Sequence, residues 1–126
     1  MVSAEADLIT DVARLVAAED AKSFKIVLVG SARTAGTLID LLIHAHGFAR
    51  RDITRLGNLA TDEQNAAQLR KRAPVVVSPE GILANRGGTF YPPPGTTQVV
   101  IIQAVEAPAK IRRQDCGDGP LTLTWS

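Results

Sequence analysis

A single cysteine, Cys116, stands among the 126 residues. An intramolecular disulfide and a cysteine-rich zinc site are both excluded, so the fold must rest on its hydrophobic core. Aromatic residues are scarce, at 4% against 45% hydrophobic residues overall, so that core has to be largely aliphatic. Long apolar runs are missing as well. The longest stretches, at residues 25–30 and 99–104, reach about a third of the ~20 residues needed to cross a bilayer, and no membrane association is expected. The first residues, MVSAEADLITDV, place Glu5, Asp7 and Asp11 where a secretory signal would place Lys or Arg and then an apolar run. With the lone cysteine, this sets the expected location as cytoplasmic.

An excess of charge of one sign is also absent: 14 Lys plus Arg oppose 13 Asp plus Glu, a net charge of +1. Strong non-specific affinity for nucleic acid comes from surplus cations, so a dedicated DNA or RNA binder is not the first expectation. The charge is uneven, however. Residues 1–23 hold Glu5, Asp7, Asp11, Glu19 and Asp20 against Arg14 and Lys22, whereas Arg50, Arg51, Arg55, Arg70, Lys71 and Arg72 crowd one later segment. That basic 50–72 region keeps nucleic-acid contact as a third-ranked reading.

What is present reads as one α/β domain over residues 1–126. Leu8, Ile9, Val12, Leu15 and Val16 recur at helical spacing and predict an amphipathic helix over 3–18, with Ser3 as its N-cap. Phe24 to Val29, with Ile26, Val27, Leu28 and Val29 in an unbroken apolar run, has the pattern of a central parallel strand covered on both faces. Gly30 ends it, Ser31 or Thr34 can cap a second helix carrying Leu38, Ile39, Leu41, Leu42 and Ile43, and Gly47 supplies a left-handed stop. A short strand is expected at 53–56. Thr61 and Gln64 then form a capping box opening a thin surface helix to about Arg72. Strands follow at 74–78 and 98–104, and a last, antiparallel strand is expected at 121–125. The order implies a mostly parallel sheet of four or five strands with helices packed on it.

Three constellations bear on function. Gly30, Ser31, Arg33, Thr34, Gly36 and Thr37 join a buried strand to a helix, where backbone amides and the helix dipole favour an anion. The segment lacks the lysine of a Walker A loop and the third glycine of a dinucleotide fingerprint, so it predicts a phosphate-containing small molecule without specifying one. The second is the long loop at 82–97, which sets Arg86, Phe90 and Tyr91 between Gly87-Gly88 and Pro92-Pro93-Pro94-Gly95. A cation and two aromatics on a stiff stem suit a protein partner or a second copy of the chain, and an accessory module that binds through residues 86–95 is the leading expectation. The same two rings could instead fold back on the sheet. The third is His44 and His46, which diverge on a helix, and Cys116, whose neighbours Asp115 and Asp118 would raise its pKa. No metal, cofactor or catalytic residue is expected, and the chain reads as leaning away from an enzyme.

Overall fold

A strand as apolar as Phe24 to Val29 needs cover on both faces, and its position in the sheet supplies it. The computed structural model describes residues 4–57, 60–79, 90–106 and 108–116. In chain order these form α1 (Ala4–Ala18), β1 (Ser23–Val29), α2 (Ala32–His44), a 3-10 turn (Arg50–Asp52), β2 (Ile53–Arg55), α3 (Asp62–Leu69), β3 (Val75–Pro79), β4 (Gln98–Glu106) and β5 (Ala109–Asp115). They build one five-stranded sheet in the order β2-β3-β1-β4-β5. Neighbours run parallel except β4 and β5, which are antiparallel. Lys25 of β1 lies level with Val75 of β3 and Val100 of β4, so β1 is hydrogen-bonded on both sides. The expected α/β class is the one observed.

The direction of each crossover decides which face its helix covers. From β1 to β2 the chain steps two places one way along the sheet; from β2 to β3, and from β3 to β4, it steps back. Right-handed crossovers therefore put α2 on one face and α3 on the other, where Phe90 also packs. The core divides accordingly. Leu8, Ile9, Val12 and Val16 of α1 and Leu38, Ile39 and Leu42 of α2 pack on Val27, Val29, Val75, Val77, Val100 and Ile102. On the opposite face Phe24, Ile26, Val76 and Val99 meet Leu56, Leu69 and Phe90. Successive side chains of β1 alternate between the two clusters, as a strand requires.

The helix ends follow their local chemistry. Ser31 is the N-cap of α2, its Oγ accepting from the Thr34 amide. Beyond α2, Gly47 takes a positive φ of 74°, and the Phe48 amide donates back to the Leu42 carbonyl. Thr61 and Gln64 form the expected capping box, with bonds of 3.1 and 2.8 Å. α3 stops at Leu69 rather than near Arg72, which adopts φ 56°. The turn is forced because Pro74 disfavours helical backbone at Ala73 and β3 starts one residue later.

One strand escaped the sequence reading. β5, AKIRRQD, has a single large apolar residue, Ile111, and is exposed along almost its whole length. It is an edge strand held by its register against β4, from Glu106–Ala109 to Val100–Asp115, so it needs no apolar face of its own. The strand expected at 121–125 lies outside the described residues. Among the described residues no helix is long and apolar enough to cross a membrane.

Candidate functional site

Ligands of parallel sheets favour the carboxyl ends of the strands, and the Gly30–Thr37 turn lies there, at the top of β1. Its polar atoms are largely turned inward. Ser31 Oγ lies 3.0 Å from Thr34 Oγ1, which donates to Glu106 Oε1 at 3.1 Å. Thr37 Oγ1 donates to the Arg33 carbonyl one turn back, and Arg33 itself is exposed. Glu106, the last residue of β4, lies directly over Gly30: a Cβ on that glycine would stand 2.8 Å from the Glu106 carboxyl carbon. The chain thus brings its own carboxylate to the start of α2, where the helix dipole favours negative charge. A free phosphate at the same place would meet that carboxylate, which moves the anion reading away from Ser31, Thr34 and Gly30.

Gly36 leads to another surface. Arg55, the last residue of β2, donates from Nη2 to the Ala32 carbonyl at 2.8 Å, which fixes the guanidinium against the first turn of α2. A Cβ on Gly36 would meet Arg55 Nη1 at 3.4 Å, an ordinary van der Waals contact, so the guanidinium lies close over the helix at this residue. Between α2 and β2 opens a cleft of about 210 Å³ lined by Gly36, Ile39, Asp40, Arg50, Ile53 and Arg55. Ile39 and Ile53 supply apolar wall, while two arginines and one aspartate supply charge. Of the residues singled out in the 30–37 turn, Gly36 is the one that lines this cleft. Arg50, Arg55 and Asp40 were legible only as members of a basic segment and a helix, because nothing in their spacing shows that β2 runs beside α2.

The other expected sites come apart. Phe90 has no exposed surface, and its ring packs with Phe24, Leu56, Leu69, Val76 and Val99. Tyr91 is half-buried against the same cluster, and Arg86 lies outside the described residues. The pair of aromatics proposed for partner contact therefore serves the core through Phe90, for the reason that the α3 face has few large side chains of its own. His46 lies beside Ala17, Phe48 and Asp52 below the α1/α2 face. Cys116 packs against the opposite face, its amide bonded to the Val99 carbonyl, so the two do not meet. Burial, and then the charge of Asp115, pushes the Cys116 thiol above its ordinary pKa, the reverse of an activated nucleophile. Among the described residues no cluster of three or more His, Cys, Asp or Glu is placed to hold a metal.

Comparison with protein families, with characterised proteins and with solved structures gives no match for this chain.

Proposed function

We propose that the chain is a small binding domain that holds a compact anion, a phosphate or carboxylate group on a small molecule, in the cleft between α2 and β2. The observation that carries this reading is the anchored Arg55 guanidinium above Gly36, with Arg50 lining the same cleft. A guanidinium already held by a helix carbonyl loses little freedom on binding, and its planar fork suits phosphate and carboxylate oxygens. Asp40 selects among anions. It repels a bare charge and rewards a ligand that presents a hydroxyl or ammonium group beside its acidic group. At about 210 Å³ the cleft is smaller than most ligand sites, which restricts the occupant to the size of a monosaccharide phosphate or an amino acid.

Calorimetric titration with inorganic phosphate, ribose 5-phosphate and small hydroxy or amino acids tests the proposal. Arg55→Ala is expected to weaken binding of whichever of these binds by about 1.5–3 kcal/mol, the worth of a charged hydrogen bond. Arg33→Ala should leave affinity unchanged. The reverse pattern would return the site to the 30–37 turn, and no binding by any of these probes would remove the anion reading altogether.

A further inference from the structure

The near-neutral net charge is unevenly spread over the surface. On the α1 side the charges are mixed: α1 and the turn after it carry Asp7, Asp11, Glu19 and Asp20 against Arg14 and Lys22, and α1 packs over β4 and β5, whose edge strand adds Lys110, Arg112 and Arg113. Part of that negative charge is answered locally, since Arg113 of β5 forms a bidentate pair with Glu19 at 2.7 and 3.2 Å. At the opposite edge cations predominate. The register of β2 on β3 sets Ile53 beside Val75, so the residues just before each strand emerge at the same end of the sheet. Those residues are Arg50, Arg51 and Asp52 of the 3-10 turn, and Arg70, Lys71 and Arg72 from the turn after α3. The five cations are exposed, and no ion pair joins them to Asp52 or to another carboxylate among the described residues.

We infer that this end of the β2/β3 edge is a docking surface for the phosphate backbone of a nucleic-acid strand. Cations that two separate segments bring together, left without internal partners, repel one another and are relieved by an external polyanion. Four of the five are arginines, whose forked guanidinium pairs with phosphate oxygens in a way an ammonium does not. The described aromatic side chains are all buried or half-buried, so the patch offers neither rings to stack on bases nor an apolar wedge for a lipid surface. Recognition there is of charge and carries no sequence preference.

Fluorescence anisotropy with a labelled single-stranded RNA and its DNA counterpart, read across a salt series, tests the inference. Affinity should fall with salt along a log–log slope of about −2 to −3.5, since each phosphate contact contributes roughly −0.7 for a single strand. The variant combining Arg51→Gln, Arg70→Gln, Lys71→Gln and Arg72→Gln should bind at least about tenfold more weakly with a flatter slope. Circular dichroism checks its fold, and Arg51→Glu alone should shift affinity in the same direction should the combined variant not fold. Arg55→Ala, which removes the cleft arginine, should bind the strands as the wild type does, so this inference and the anion cleft fail independently. The inference is overturned if neither strand binds at low salt, if the neutralised variant binds as tightly as the wild type, or if phosphatidylserine vesicles bind and the strands do not.

Discussion

The two faces of the sheet bury their surface by different means. The α1/α2 face is aliphatic and built from helices whose apolar residues recur at regular spacing, from Leu8 to Val16 and from Leu38 to Leu42. The α3 face takes one buried large side chain from its helix, Leu69, and completes itself with Leu56 beyond β2 and Phe90 from the connection to β4. One face is closed by periodicity and the other by single residues outside regular structure. Damage should therefore be shared out on the first face and concentrated on the second.

Phe90→Ala is the most direct way to break that contrast. Loss of a fully buried phenyl ring should cost about 3–5 kcal/mol in urea unfolding. Val12→Ala, on the helical face, should cost about 1.5–2.5 kcal/mol, because two methyl groups are removed among many aliphatic neighbours. Equal costs would mean that the faces are not built differently. A smaller effect comes from the cap that holds α3 in place. Thr61→Ala removes the acceptor for the Gln64 amide, and about 1 kcal/mol of stability should go with it.

The smallest expected effect concerns the one charge within the aliphatic face. Lys25, 4% exposed and level with Val75 and Val100, has its pKa lowered by burial, with Glu19 and Asp20 pulling the other way. The folded state then binds fewer protons than the unfolded chain between the lowered value and the ordinary 10.5, so stability should rise as pH climbs through that window. Lys25→Met should be more stable at neutral pH and should lose the alkaline rise. The raised pKa of Cys116 works in the opposite sense, its stabilisation being lost as pH rises, so both proteins are best compared in a Cys116→Ser background.

The helical face was the legible one. Its stripes, the Ser31 cap and the buried β1 run rest on interactions within a few residues, as does the Thr61–Gln64 box of α3 on the other face, and each appears where its spacing puts it. Phe90 was not legible in the same way. A ring between glycines and prolines is compatible with a surface anchor or a core plug, and only the vacancy between Phe24, Val76 and Leu69 decides between them. β5 was silent for a related reason, because an edge strand needs a partner's backbone and not an apolar pattern.

The candidate site divides along the same line. The glycine turn at the end of β1 could be read directly, since strand, glycine and cap are local features. That Glu106 lies over Gly30, and that Arg55 lies over Gly36 beside Asp40, could not be read. Those pairs are separated by 76, 19 and 15 positions or so and are joined only by strand order and register. The sequence by itself determined the α/β class, the helix caps and the location of unevenly placed charge, all of which depend on neighbours along the chain. The tertiary structure decided which carboxylate occupies the helix start, which arginines share a cleft and which cations crowd one edge. Parallel strand pairing brings together residues that no local interaction links.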